Sequence, residues 1–233
     1  LLWRLAHDRL DTLDALLKAS AEAAAGYGHP ELVTLDFIED KDSSPVRDSL
    51  ASLGFQRAEQ MHEFKVPMTR VYERVCRAYD RLAARGTIPP GIRIACLDPD
   101  LVPEVRRIIH VAGLLDAVDF DARLAGRATT AISPELCTVI VAGGTIIGIH
   151  LVERLDDGFI IPCRWVHKNH RSTWVNVGLM HWSTQRDTPP DPEESFVRFS
   201  FSSEQHRETQ RFAKRMGASP VGSRTRWVLR LKT

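Results

Sequence analysis

The stretch with the clearest chemical potential runs from Phe159 to Gln185, FIIPCRWVHKNHRSTWVNVGLMHWSTQ. Its first eight residues, up to Val166, are rich in β-branched and aromatic types and predict a buried strand. A polar turn follows, and apolar residues three or four positions apart then predict a helix. Backbone N–H groups and the positive end of the helix dipole point at such a turn, so this stretch predicts an anion site.

This strand, turn and helix resemble the coenzyme A site of the GNAT acetyltransferases, which carries the pattern Q/R-x-x-G-x-G/A. The matching residues here are RSTWVN, in which Arg171 and Val175 fit the pattern. Trp174 and Asn176 stand where the family has small residues, which let the backbone approach the phosphates. The resemblance implies acetyl-CoA or another acyl-CoA as co-substrate, in the family's pose or an altered one. It assigns cofactor binding to Val166, Arg171, Ser172, Thr173, Val175 and Asn176.

Acetyl transfer to an amine needs a polarised thioester carbonyl, a base for the amine proton and an acid for the leaving thiolate. The candidate catalytic residues are Glu153, His167 and His206, with His170 a further possible base. Glu153 lies late in a strand where the family often keeps a carboxylate, and His167 follows the strand beside the expected thioester. The alternatives are a solvated strand-end charge for Glu153 and a helix-surface residue for His206.

The acid that the family often uses is a Tyr in its last helix, four residues before a Gly-Phe turn. The corresponding positions are Leu50 and Ala213, and neither side chain can donate a proton. The Asn that often helps to bind the cofactor corresponds to Ser43 and His206. The sequence therefore leaves open whether either of these two helices belongs to a catalytic site.

Other reaction classes find little support in the sequence. His167 and His170 are spaced as HxxH, but no third ligand follows at useful spacing, so we expect no metal. Cys163 has no marked His or Asp partner, which argues against a thiol nucleophile. All four cysteines lie mostly among apolar residues without CxxC spacing, and we expect buried free thiols and a cytoplasmic location. Trp165, Trp174 and Trp182 are interpreted as core or interface residues.

The charge is unevenly spread, although the formal net charge of the 233 residues is only +1. Residues 1–68 carry 7 Lys/Arg and 12 Asp/Glu, a net −5, whereas residues 69–233 carry 24 and 18, a net +6. The basic second part suits an anionic ligand but falls short of the dense Lys/Arg stripe of a nucleic-acid surface. No apolar run approaches the roughly 20 residues of a membrane helix. We therefore expect neither a nucleic acid nor a membrane as partner.

Residues 1–68 predict the order helix, strand, helix, Leu53-Gly54-Phe55 turn, strand. This order resembles the C-terminal half of a GNAT domain. A half-domain leaves a sheet edge open, so we expect residues 1–68 to pair with missing N-terminal chain or with a partner subunit. The predicted ranges are helices at 2–25 and 45–53 and strands at 31–38 and 62–68.

Residues 69–91 predict a helical linker over 70–85 that ends at a Pro- and Gly-containing boundary. Residues 92–233 then resemble one complete GNAT domain, with Gly143-Gly144 as a hairpin turn. Residues 216–218 occupy the same place as residues 53–55, a weak internal repeat. The predicted strands are 92–97, 136–142, 145–155, 159–166, 195–201 and 227–231, with helices at 101–115, after 174 and at 203–216. Residues 116–134 are poorly periodic and leave room for a short second helix.

The predicted fold class is α/β (α+β), with a GNAT-like, mixed and mostly antiparallel central sheet flanked by helices. The predicted function is acyl-CoA-dependent transfer of an acetyl group to an amine of a small molecule or peptide, with residues 92–233 possibly non-catalytic. The alternative is a GNAT-like binding or scaffold module without transferase activity.

Overall fold

A computed structural model of the chain describes residues 10–27, 31–33, 38–39, 45–128, 130–171, 173–186, 194–202 and 207–231. The helices among them are α1 (Leu10–Gly26), α2 (Pro45–Ser52), α3 (Met68–Ala84), α4 (Val102–Val111), α5 (Ala117–Leu124), α6 (Val175–Arg186) and α7 (Arg207–Met216). The strands are β1 (Glu31–Val33), β2 (Ile38–Glu39), β3 (Gln56–Pro67), β4 (Arg93–Ala95), β5 (Thr138–Ala142), β6 (Thr145–Leu155), β7 (Gly158–Val166), β8 (Phe196–Ser202) and β9 (Ser219–Arg230).

The order of helices and strands predicted from the sequence is confirmed, with α5 as the short second helix. Among the described residues of the predicted strand 31–38 the structure has two short strands, β1 and β2, and the other differences lie at the ends of the elements. β3 begins six residues before its predicted start, and β9 begins at Ser219 instead of Trp227. A partner strand holds the extension of β9, since Ile38 and Glu39 of β2 pair with Thr225 and Arg224. The predicted helix residues 2–9 and strand residues 34–37 lie outside the described part of the chain.

Contacts divide the chain into two compact units. Unit 1 contains residues 1–63, 201–211 and 220–233, and unit 2 contains residues 64–200 and 212–219. Because β9 pairs with β1 and β2, the end of the chain joins its beginning in unit 1. The division by sequence position, with 1–68 and 92–233 as separate domains and 69–91 as linker, stays a prediction.

Unit 1 has a small core around the turn that was predicted from the Leu-Gly-Phe sequence. Leu50 of α2, Phe55 and Trp227 of β9 are buried together, and Leu17 of α1 packs against them. The backbone N–H of Phe55 donates to the carbonyl of Leu50 and closes the end of α2. The short helix and its turn are thus held by apolar burial as well as by a hydrogen-bonded cap.

Unit 2 contains a sheet in the strand order β8-β7-β6-β5-β4. Every neighbouring pair in it is antiparallel except β7 and β8, which run parallel. Helix α6 lies between these two strands in the chain, as a parallel connection requires. The predicted fold class, a mixed and mostly antiparallel sheet flanked by helices, is confirmed.

The two faces of this sheet are covered by different helices because side chains alternate along each strand. On one face, Val105 of α4 and Phe120 of α5 pack with Ile149, Leu151 and other strand residues. On the other face, the residues packed with Ile140, Ile147 and Val166 are Trp174, Val175 and Leu179. No helix in the described ranges is long and apolar enough to cross a bilayer.

Candidate functional site

The parallel strands β7 and β8 pair along only part of their length. Their register runs from Gly158↔Phe196 to Ile161↔Phe199, whereas β7 continues for five further residues to Val166. Backbone groups in a sheet need hydrogen-bond partners, and the β8-side edge of residues 162–166 has no register partner among the described residues. This edge can therefore receive an extended ligand alongside β7.

The predicted polar turn connects the end of β7 to α6. The backbone N–H of His167 donates to Ile147 and so extends the β6–β7 pairing by one residue. Lys168 to His170 then form one turn of 3-10 helix, with His170 donating its backbone N–H to the carbonyl of His167. Lys168, Asn169 and Arg171 are exposed, so the turn presents two permanent cations to solvent.

Trp174 does not project into this turn. Its side chain is 5% exposed and lies in the core cluster beneath α6, as its interpretation as a core residue predicts. The ring packs on Gly178, one turn further along the helix. The large residue at the family's glycine position therefore leaves the solvent side of the turn open.

Hydrogen bonds inside the turn occupy several groups that a phosphate would use. Thr173 donates its backbone N–H to His170, and its Oγ1 accepts from the N–H of Val175 at 3.4 Å. The side-chain amide of Asn176 donates to the carbonyl of Arg171 at 2.8 Å. The start of α6 is thus capped by the protein's own side chains, and an anion would have to displace them.

The predicted cofactor residues occupy two environments. Arg171 and Thr173 are exposed and Asn176 is half-buried, so these three lie where a ligand can reach them. Val166 and Val175 are buried in the core, where only their backbone groups could contact a ligand. Ser172 lies outside the described residues.

Glu153 is fully buried and forms an ion pair. Its carboxylate accepts from Arg123 Nη1 at 2.9 Å and from Thr130 Oγ1 at 2.5 Å. Arg123 also donates to Asp119 within α5. The alternative of a solvated strand-end charge is wrong, because the side chain has no exposure to water. These contacts give Glu153 a positioning role between β6, α5 and the segment that follows α5.

The structure does not bring Glu153 and His167 together. Glu153 lies opposite Ile160 in the β6–β7 register, and His167 follows seven residues later. At about 3.3 Å per residue, the two backbones are about 23 Å apart along the strand. They cannot act on one substrate atom. Leu50 and Ala213 are both buried, and Ser43 and His206 lie outside the described residues.

A buried polar row, which the sequence analysis missed, lies under α6. Thr138, His150 and Arg164 stand side by side on β5, β6 and β7. Thr138 hydrogen bonds to Ser183 of α6, and Arg164 contacts the sulfur of Met180. Burial, and then the Arg164 guanidinium, lower the pKa of His150 to about 3, so His150 is neutral at physiological pH. A lone polar residue in the apolar run of β6 was the signal available in the sequence.

The cysteines are free, as the sequence predicts, but Cys76 and Cys96 are half-buried rather than buried. Cys137 and Cys163 are buried. Burial raises the pKa of each of these two thiols to about 12, which excludes a thiolate nucleophile at neutral pH. Within the described residues, no three His, Cys, Asp or Glu side chains gather as a metal site.

Comparisons with solved structures place this architecture among known folds. A tandem GNAT protein from the clavulanic acid biosynthesis pathway superposes with a TM-score of 0.58 at 17% identity, over 97% of this chain and 71% of the other. A GCN5-related N-acetyltransferase from Sphaerobacter thermophilus gives 0.57 at 14%, over 94% and 67%. A functionally unknown conserved protein from Staphylococcus epidermidis gives 0.56 at 9%, over 96% and 81%.

No family model and no curated protein matches the sequence. The identities to the solved structures are too low to transfer an activity, but the superpositions cover almost the whole chain. The partly paired parallel strands, the turn and the helix that follows it lie within that fold. The chain has the fold of the GCN5-related N-acetyltransferase superfamily.

Proposed function

We propose that the chain is part of an acyl-CoA-dependent N-acyltransferase that transfers an acetyl group to an amine of a small molecule or peptide. The observation that carries the proposal is the early end of the β7–β8 pairing, at Ile161 and Phe199. Beyond that point, where the β8 register ends among the described residues, the extended, amide-containing arm of acyl-CoA would lie beside β7 and hydrogen bond as a strand does.

The diphosphate of acyl-CoA would lie at the turn between β7 and α6. Arg171 and Lys168 supply exposed positive charge there, and the N-terminus of α6 adds its dipole. The inward orientation of Trp174 keeps the approach to this turn open. The thioester carbonyl would meet the backbone of β7, where a fixed N–H group would stabilise the developing oxyanion.

Isothermal titration of acetyl-CoA into the chain tests the proposal, with Arg171→Ala and Arg107→Ala as matched variants. Arg107 is equally a surface arginine but lies on α4, bound to Glu104. We expect Arg171→Ala to weaken binding about tenfold, or 1.4 kcal/mol, and Arg107→Ala to change nothing. Equal effects of the two substitutions would show that the turn does not hold the diphosphate.

Transfer itself is measured by the release of free coenzyme A thiol in the presence of amines. Because His167 is half-buried at the end of β7, His167→Gln tests whether it accepts the amine proton. A loss in turnover at unchanged acetyl-CoA affinity would support a base. Unchanged turnover would leave the deprotonation to another group.

A binding or scaffold module is the second candidate function. The internal bonds of Thr173 and Asn176 and the ion pair of Glu153 favour it, because each occupies a group that catalysis would use. Leu50 and Ala213 also provide no acid. A chain that binds no acetyl-CoA in the titration would establish this candidate over the transferase.

A further inference from the structure

Helix α3 carries a straight row of exposed arginines. Arg70, Arg74, Arg77, Arg81 and Arg85, the last directly after the helix end, follow one another at intervals of three or four residues. At 3.6 residues per turn they occupy a sector of about 80°, and at 1.5 Å per residue they span about 22 Å. We call this row the arginine stripe. These arginines are separated by other residues in the sequence, and the helical conformation brings them onto one face.

The end of α7 extends the arginine stripe with two further cations. Arg70 donates to the carbonyl of Gly217 at 3.2 Å, and Arg74 donates to the carbonyl of Arg215. These bonds satisfy carbonyl groups that the end of a helix leaves open. They also hold the end of α7, which carries the exposed residues Lys214 and Arg215, against the first half of the stripe.

The positive charge of unit 2 is concentrated at this surface. Residues 68–85 and 212–219 hold seven Lys/Arg and two Asp/Glu, a net +5, whereas the rest of unit 2 holds 12 and 14, a net −2. Charge gathered on one surface attracts an oppositely charged partner and speeds its association.

Arg77 and Arg81 are not needed for the bonds to α7. Arg77 pairs with Glu73 of the same helix at 3.4 Å, and Arg81 donates to the backbone carbonyl of Arg77. An exposed pair of this kind contributes about 0–1 kcal/mol to stability. The charges at the middle and end of the stripe are therefore available to a ligand.

We propose that the arginine stripe, with Lys214 and Arg215, docks an acidic helix of a partner protein. A helix with a carboxylate at every third or fourth position has the same rise as α3, so its charges meet successive guanidinium groups when the two helices lie side by side. Arginine binds carboxylates in a planar, two-pronged geometry. A nucleic acid fits less well, because Glu73 and Asp80 flank the stripe on α3 and the rest of unit 2 is net negative.

The test uses the full chain and a labelled 20-residue helical peptide with Glu at alternating intervals of three and four residues and Ala elsewhere. Fluorescence anisotropy compares this peptide with its Glu-to-Gln counterpart and with a short single-stranded DNA of equal charge. The variant is Arg77→Glu/Arg81→Glu. The control is Arg93→Glu/Arg107→Glu, which changes the net charge equally at arginines that are 62% and 63% exposed on other elements.

We expect the stripe variant to raise the peptide Kd at least tenfold and the control to change it less than twofold. Binding should weaken as salt rises from 20 to 150 mM. Equal losses of peptide affinity in both variants would show that only the net charge matters, which would overturn the proposal. Tighter binding to DNA than to the Glu peptide, or equal binding of the Glu and Gln peptides, would also overturn it. Thermal unfolding of both variants completes the test. A large drop in Tm for the stripe variant alone would show that these arginines stabilise the fold rather than bind a partner.

Discussion

The indole ring of Trp174 lies directly on Gly178 in α6. A Cβ atom at position 178 would sit 2.8 Å from the ring, closer than real Cβ atoms approach other atoms. On the same helix, Val175 lies 2.8 Å from the Cβ position of Gly148 in β6. Gly178 on the helix thus leaves room for the Trp174 ring, and Gly148 on the sheet leaves room for the Val175 side chain.

Gly178→Ala should destabilise the chain by about 1–3 kcal/mol through overpacking, although Ala favours a helix more than Gly does. Trp174→Ala should cost about 3–5 kcal/mol because it leaves a cavity. Urea unfolding measures both. Gly222→Ala is the control, because no atom lies within 4 Å of its Cβ position. A more stable Gly178→Ala variant would show that the ring does not rest on the helix.

Asn176→Gly should strengthen the binding of coenzyme A about fivefold. The substitution releases the carbonyl of Arg171 and lets the first turn of α6 approach the phosphates, as small residues do. Isothermal titration measures the Kd, and Asn169→Ala, at an exposed residue of the same turn, serves as the control. Weaker binding by Asn176→Gly would mean that the amide side chain itself holds the ligand.

The Arg123–Glu153 ion pair should matter for stability. Arg123→Leu leaves the fully buried Glu153 carboxylate without its cation, and breaking one partner of such a pair costs about 3–5 kcal/mol. The double variant Arg123→Leu/Glu153→Leu should lose less, because no uncompensated charge remains. Urea unfolding of both singles and the double completes the cycle. Additive losses would show that the two side chains do not interact.

His150 should make stability fall in mildly acidic solution. Its folded pKa of about 3 lies below the unfolded value of about 6.5, so only the unfolded state takes up a proton between these values. The free energy of unfolding then drops by about 1.4 kcal/mol for each pH unit below about 6.5, and this contribution levels off near pH 3.

Urea unfolding at pH 7 and pH 5 measures this effect. The unsubstituted chain and the exposed-site control His110→Gln should lose about 2 kcal/mol between these two pH values. His150→Gln should lose markedly less, because it removes the group that titrates. An equal loss in His150→Gln and in the unsubstituted chain would show that other groups cause the pH dependence.

The sequence by itself determined the elements and their order. The β-branched and aromatic content predicted β7, and apolar spacing predicted α6. Gly143-Gly144 predicted the hairpin between β5 and β6, since few residues other than glycine adopt such a turn. These signals are local, because each depends on residues that are neighbours in the chain. The resemblance to the GNAT fold followed from their order.

The tertiary structure alone decided where the side chains go. The burial of Glu153 against Arg123 and the early end of the β7–β8 pairing depend on residues distant in sequence. The arginine stripe depends on the helical period together with the position of α7. Periodicity shows which residues share a face, but burial and charge pairing are properties of the packed chain, so they could not be predicted from the sequence.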